Sequence, residues 1–185
     1  MWDLLIEGYF KDTLSKLTIK SVLVWLIIAL VVGAVSFVFY RRGKIRINSC
    51  IVLPVLAFYL SFVITITLIE RIVTDNARYH LKLFVTYEAI ANGAQTLISE
   101  VFWNIVLFIP IGIMFMFLLK LKHKWLISIV MGLLLSASIE VIQLVTHRGV
   151  FVFDDMIHNT LGTVIGVVLY VLVALAGKRL VARHS

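Results

Sequence analysis

The sequence predicts an all-α fold, a polytopic membrane bundle of about five transmembrane helices with an N-terminal amphipathic helix. Three observations support this class: 62% of the 185 residues are hydrophobic, the mean hydropathy is +1.06, and long apolar runs recur along the chain. A soluble domain of this size does not need so much apolar surface, whereas several spanning helices do. Barrel strands would alternate apolar and polar residues, so continuous runs favour helices. We expect residues 1–185 to form a single membrane domain.

The N-terminal residues 1–19 are predicted to form an amphipathic helix in the membrane interface. Trp2, Leu5, Ile6 and Tyr9 recur at helical spacing, with charged residues between them. A short helix packed on the bundle outside the membrane would give the same pattern. The residues do not separate these two arrangements.

Five apolar runs follow, and each is close to the ~20 residues that a helix needs to cross about 30 Å of hydrocarbon. The runs cover residues 21–40, 49–69, 101–119, 125–145 and 157–176. Between the second and third runs, the segment 70–100 is long and mixed in character. Because long structureless loops are uncommon in compact domains, we expect a surface helix or a re-entrant piece there.

The net charge of +7 indicates membrane topology rather than nucleic-acid binding, because the lysine and arginine residues lie at the ends of apolar runs. The short connections at 41–48 and 120–124 are strongly basic, and short loops count most for orientation. We therefore expect the N-terminus outside and the C-terminus in the cytoplasm.

Cys50 is the only cysteine, so no disulfide can form within the chain and no zinc cage is expected.

A carboxylate inside the fourth predicted span, Glu140, is the most informative single residue. A charge at the membrane centre costs about 2.5 kcal/mol or more, so such a group normally faces the protein interior and has a partner or a task. Consecutive spans run in opposite directions, so the start of the third span, the end of the fourth and the start of the fifth meet on one side of the membrane. We predict an outward-facing polar pocket there. Its candidate ligand-binding residues are Asn104, Glu140, Gln143, Arg148, Asp154, Asp155, His158 and Asn159.

Helical spacing supports a shared pocket. Glu140 and Gln143 lie on one face of the fourth span, and Asp155 and Asn159 lie on one face of the fifth. Structural roles explain some of the same residues equally well. Capping of the fifth helix accounts for Asp154, and hydrogen bonding between helices accounts for the asparagines.

Small residues in the third and fifth spans predict close helix contacts. Gly162 and Gly166 would let a neighbouring backbone approach closely. Pro110 and Gly112 would weaken the third helix in mid-membrane and free a carbonyl there.

These residues resemble the VanZ-like membrane family over about residues 81–170. The resemblance rests on Asn104, Phe108, Pro110 and Gly112 in the third span, Glu140 and Gln143 in the fourth, then Arg148, Asp154, Asp155, Asn159, Gly162 and Gly166. It implies a bacterial plasma-membrane protein of the cell envelope. It also implies an association with resistance to teicoplanin-type glycopeptides, which makes such an antibiotic one conceivable partner.

The leading functional hypothesis is the binding of a lipid headgroup or a lipid-linked envelope precursor, with Arg148 at the rim of the pocket. An arginine suits phosphate through its planar fork. One alternative is an intramembrane hydrolase or transferase acting on lipid, with Glu140 and His147 or His158 as acid–base groups. Another is a transporter of lipids or small molecules. We expect binding rather than catalysis. We expect no metal, because the aspartate pair shows no complete set of metal ligands. The sequence indicates neither a cofactor nor an oligomeric state.

Overall fold

The computed structural model describes residues 15–184, with side chains described for residues 15–179. Five of its helices are long and apolar enough to cross a membrane, which confirms the predicted fold class. The helices are α1 (Ile19–Arg41), α2 (Ile47–Ile64), α3 (Val85–Ala91), α4 (Thr96–Leu118), α5 (Lys124–Thr146) and α6 (Phe153–His184). Two short strands are β1 (Tyr79–His80) and β2 (Phe151–Val152). The predicted amphipathic helix falls largely on residues 1–14, outside the described part.

The spans extend beyond the apolar runs at the end where the polar residues lie. Helix α4 begins at Thr96 and α6 at Phe153, each several residues before the predicted start. Helix α2 continues past Ile64 as a π-helical segment, Thr65–Ile69. Hydropathy identifies only the residues suited to the hydrocarbon core of a bilayer. A helix can continue beyond them as long as its backbone hydrogen bonds are formed.

The contact between α4 and α6 is the most extensive among the described helices, and glycines make it possible. A methyl group added at Gly162 would collide with the backbone carbonyl oxygen of Ile105, and one at Gly166 would collide with that of Ile109. The two backbones therefore touch directly, as small residues allow at membrane helix contacts. This confirms the predicted role of the two glycines.

Helix α4 runs unbroken through Pro110, so the predicted mid-membrane weakening is not seen as a break. The hydroxyl of Tyr59 on α2 donates a hydrogen bond to the Leu107 carbonyl at 2.9 Å, one residue beyond the carbonyl that loses its partner to the proline. Neighbouring helices commonly satisfy backbone groups near a membrane proline in this way.

Helix α1 packs mainly on α2. The indole of Trp25 donates to the Thr65 hydroxyl at 3.0 Å and meets the rings of Phe58 and Phe62 edge-on.

An apolar core fills the space between α2, α4 and α5. Its buried members include Leu56, Val63, Ile66, Leu107, Phe108, Ile111, Met114, Phe115 and Ile139.

One end of the bundle has a layer of irregular chain, formed by residues 70–95 and 147–152; we name it the covered end. The segment 70–95 holds β1 and the short helix α3, so the expected surface helix is present but is only seven residues long. The opposite end carries the basic connections at 42–46 and 119–123, and we name it the basic end.

Candidate functional site at the covered end

The two segments of the covered end are joined by backbone hydrogen bonds. Strands β1 and β2 pair in parallel, with Tyr79 opposite Phe151 and His80 opposite Val152. The Phe151 amide also donates to the Arg78 carbonyl at 3.0 Å. The long loop after α2 and the short loop after α5 therefore form one layer above the ends of the spanning helices.

Asp154 holds this layer in place from below. Its carboxylate is fully buried, and its two oxygens accept hydrogen bonds from the amides of Phe84 at 2.7 Å and Thr86 at 2.9 Å. These amides belong to the N-terminal turn of α3, where a carboxylate satisfies unpaired donors and complements the helix dipole. Asp154 therefore caps α3, a different helix from the one that the sequence suggested.

Gln143 and Arg148 hold the end of α2. The Gln143 side-chain amide donates to the Thr67 carbonyl at 2.8 Å, and the Arg148 guanidinium donates to the Ile69 carbonyl at 2.7 Å. Carbonyls in the last turn of a helix lack partners within it, and these two side chains supply them. The guanidinium is directed to α2 and does not line the cavity described below.

Asn159 lies deeper in the bundle, between α5 and α6. Its side-chain amide donates to the hydroxyl of Ser136 at 2.8 Å, so it joins the two helices. Asn104 is half-buried on α4, and its side chain makes no hydrogen bond with the described residues. Neither residue lines the cavity.

Glu140 lies directly beneath β2. It is only 2% exposed, and one carboxylate oxygen accepts a hydrogen bond from the Val152 amide at 2.9 Å. Asp155 and Arg71 are the charged side chains that act on it electrostatically. The buried carboxylate thus has a backbone partner and lies within a cluster of charges.

A cavity of about 180 Å³ opens beside this cluster, between α3, α4, the strands and the start of α6. We name it the acidic cavity, because two of its walls carry carboxylates, Glu100 on α4 and Asp155 on α6. The Arg71 guanidinium lies 3.8 Å from the Glu100 carboxylate. The lining residues are His80, Val85, Thr86, Ala89, Leu97, Glu100, Val150, Val152 and Asp155.

A histidine adjoins the acidic cavity behind Asp155. His158 is 1% exposed, and its Nδ1 atom lies 3.7 Å from an Asp155 carboxylate oxygen. Its Nε2 atom is 2.9 Å from the hydroxyl of Tyr87, which is half-exposed on α3. These three side chains form a chain from the cavity wall to the surface of the cover.

The structure brings the predicted residues to one end of the bundle but divides them among several tasks. Asp155 lines the acidic cavity, and Glu140 and His158 adjoin it. The others hold backbone segments or neighbouring helices, or in the case of Asn104 lie apart. Within the described part of the chain, no group of three or more His, Cys, Asp or Glu side chains could hold a metal ion.

Sequence reasoning missed Glu100, Arg71 and Tyr87. Glu100 precedes the third apolar run, but it is four residues before Asn104 and shares a helical face with it once α4 begins at Thr96. Arg71 and Tyr87 belong to the long segment after α2, and no periodic signal in that segment places them near the start of α6.

One of the comparisons with known proteins identifies a family. The sequence model of the family described as VanZ/LLP1 matches residues 23–174, which include the second to fourth spanning helices and most of the first and fifth. No curated protein and no solved structure matches the chain. The match extends over most of the sequence, including the acidic cavity and the residues of the covered end. The chain therefore belongs to the VanZ/LLP1 family.

Proposed function

We propose that this protein is an integral membrane protein of the bacterial cell envelope that binds the polar headgroup of a lipid or lipid-linked envelope precursor in the acidic cavity. The observation that carries the proposal is the pair of carboxylates, Glu100 and Asp155, in a cavity next to buried Glu140. The cavity lies at the end of the spanning helices, and the ends of membrane-spanning helices are where a bundle meets lipid headgroups.

The chemistry of the lining favours a headgroup with an ammonium group. Glu100 and Asp155 would attract a cation and repel a bare phosphate. The Arg71 guanidinium, 3.8 Å from Glu100, offsets part of this negative charge. The space equals roughly six water molecules, so it accommodates part of a headgroup while the acyl chains stay in the bilayer.

Native mass spectrometry of the detergent-solubilised protein with added phosphatidylethanolamine tests this proposal. We expect the wild type to retain the lipid and Asp155→Asn to reduce retention at least about tenfold, because a charge-assisted hydrogen bond is lost. Glu88→Gln is the matched control. Glu88 is an exposed carboxylate on α3 paired with Lys82, and such surface pairs contribute little. Equal retention by the wild type and Asp155→Asn would contradict the proposal.

The bound precursor or lipid would link the protein to teicoplanin-type glycopeptides, in keeping with the family resemblance. We propose that occupancy of the acidic cavity lowers susceptibility to such antibiotics. Expression in a susceptible bacterium should raise the inhibitory concentration of teicoplanin, and Asp155→Asn at matched expression should abolish the rise. A rise that persists with Asp155→Asn would separate the phenotype from the cavity.

The proposal requires the covered end to face the outside, with the basic end in the cytoplasm. The short basic connections at 42–46 and 119–123 support this orientation. A reporter fused after residue 185 should be active in its cytoplasmic form alone. Activity of a periplasmic reporter at that position would reverse the orientation and exclude an outer-leaflet ligand.

An intramembrane hydrolase or transferase is the second candidate, favoured by the chain Tyr87–His158–Asp155. Asp155 lies 3.7 Å from Nδ1 of His158, farther than a hydrogen bond, and the other ring nitrogen is 2.9 Å from the Tyr87 hydroxyl. A carboxylate, a histidine and a hydroxyl in this order are groups used for acid–base catalysis. Turnover of a labelled lipid by purified protein, lost in Tyr87→Phe but not in Glu88→Gln, would favour this candidate. Binding without turnover would favour the first.

A further inference from the structure

A second groove lies at the basic end, remote from the acidic cavity. It has a volume of about 480 Å³ and runs between α4, α5 and α6. Its lining combines two cations, an aromatic ring and an apolar floor. The residues that matter here are Lys122, Lys124, Trp125, Val168, Val171 and Leu172.

The ammonium group of Lys124 is held in a fixed position. It donates to the Met116 carbonyl and to the Tyr170 hydroxyl, each at 3.2 Å, and lies 4.5 Å from the centre of the Tyr170 ring. An ammonium has three donors, and these contacts use two of them. The remaining donor is available to an anion that approaches the groove.

The floor of the groove is apolar and open. Val168 and Leu172 are 48% and 57% exposed, and they line the groove along α6. Trp125 is half-exposed at the rim, and an indole at the start of a spanning helix is typical of the membrane–water interface. Lysines at the rim, an interfacial ring and an apolar floor match the polarity of a phospholipid from headgroup to acyl chain.

We infer that this groove binds an anionic phospholipid from the leaflet at the basic end. The phosphate lies at Lys122 and Lys124, and an acyl chain lies along α6 over Val168 and Leu172. Charge complementarity selects the occupant, because two lysines face the groove and its described lining contains no carboxylate. The inference is independent of the acidic cavity and of the function proposed for it.

Native mass spectrometry with equal amounts of phosphatidylglycerol and phosphatidylcholine tests the inference. We expect the full-length wild-type protein to retain phosphatidylglycerol preferentially. Lys122→Gln should reduce that preference about fivefold, and Lys122→Gln with Lys124→Gln should abolish it, since each basic side chain near an anionic lipid contributes independently. Lys122 is exposed, so its substitution leaves the fold intact.

Two matched controls make the result specific to the groove. Lys120→Gln removes an exposed lysine from the same connection that does not line the groove, and the preference should remain. Leu172→Trp should fill the groove and lower lipid retention, whereas Leu175→Trp, at an exposed position of α6 outside the groove, should not. Equal retention of both lipids by the wild type would overturn the inference. So would an equal loss of preference in Lys120→Gln and Lys122→Gln.

Discussion

The two ends of the bundle use their polar residues in opposite ways. At the covered end, polar side chains are buried and bind the backbone: Asp154 binds amides of α3, Glu140 binds β2, and Gln143 binds the end of α2. At the basic end, the connections are short, and charged side chains such as Arg42 and Lys122 are exposed; Lys124, which donates to the Met116 carbonyl, is an exception. One end has an irregular layer of chain to support, and the other has almost none.

This difference teaches that a polar residue buried near a membrane surface is not by itself a sign of a ligand. Irregular backbone has unpaired amides and carbonyls, which must be satisfied where water is scarce. Most of the polar side chains at the covered end do this. The side chains left for other chemistry are the carboxylates at the acidic cavity and the His158–Tyr87 pair.

Among the variants that test this comparison, removal of the Asp154 carboxylate should cause the largest loss of stability. Asp154→Ala leaves the part-buried amide of Phe84 and the buried amide of Thr86 without an acceptor, at a cost of about 3–5 kcal/mol in the free energy of unfolding. Unfolding in detergent, followed by helical circular dichroism, measures the loss. Limited proteolysis should also become faster within residues 79–95.

The control for that experiment is Asp75→Ala, which removes an exposed carboxylate from the same layer. Surface substitutions of this kind change stability by about 0.5 kcal/mol at most. If Asp154→Ala were no more damaging than Asp75→Ala, the carboxylate would not support the cover, and the contrast between the two ends would fail.

Disruption of the glycine contact between α4 and α6, the two helices that run from one end to the other, should give the next largest loss of stability. Gly162→Ala forces a methyl group against the Ile105 carbonyl, where the backbone cannot easily move, and should destabilise the protein by about 1–3 kcal/mol. Gly177→Ala on the same helix has open space around it and should be neutral or stabilising by up to about 1 kcal/mol. Similar melting temperatures for the two variants would show that α4 and α6 are not in direct backbone contact.

A pair of arginines, one from each end, gives the smallest and sharpest comparison. Arg148→Ala removes the donor to the Ile69 carbonyl and should cost about 1–2 kcal/mol in unfolding free energy. Arg42→Ala removes an exposed guanidinium from the basic end and should change stability by less than about 0.5 kcal/mol. Thermal melts of both variants measure the difference. Equal stability of the two would mean that Arg148 is as dispensable as a surface charge.

Much of the fold could be predicted because hydropathy and helical spacing are local properties. The five spans, a close backbone contact at Gly162 and Gly166, and the common side of the polar residues all follow from them. That α4 is the helix in contact with these glycines did not follow from the sequence. The partners of those polar residues could not be predicted in the same way. Asp154 is 70 residues from Phe84 along the chain, and no repeat or period connects the two positions.

The acidic cavity shows the same limit. Asp155 was a candidate from its place at the start of a span, but Glu100 and Arg71 lie outside the apolar runs and carry no local signal. Glu100 comes near Asp155 because α4 packs on α6, and Arg71 reaches Glu100 from the segment 70–95. A single sequence carries no pattern that shows which residues far apart in the chain come into contact.

The sequence by itself determined that this chain crosses the membrane several times as helices and that its polar residues gather at one end. These features follow from the free energy of transferring side chains out of water and from the helical repeat. Both can be read from residues that are close together in the sequence. Only the tertiary structure decided which side chains hold backbone and which line a cavity. That division depends on where the unpaired amides and carbonyls of distant segments come to lie, and their positions exist only once the helices have packed.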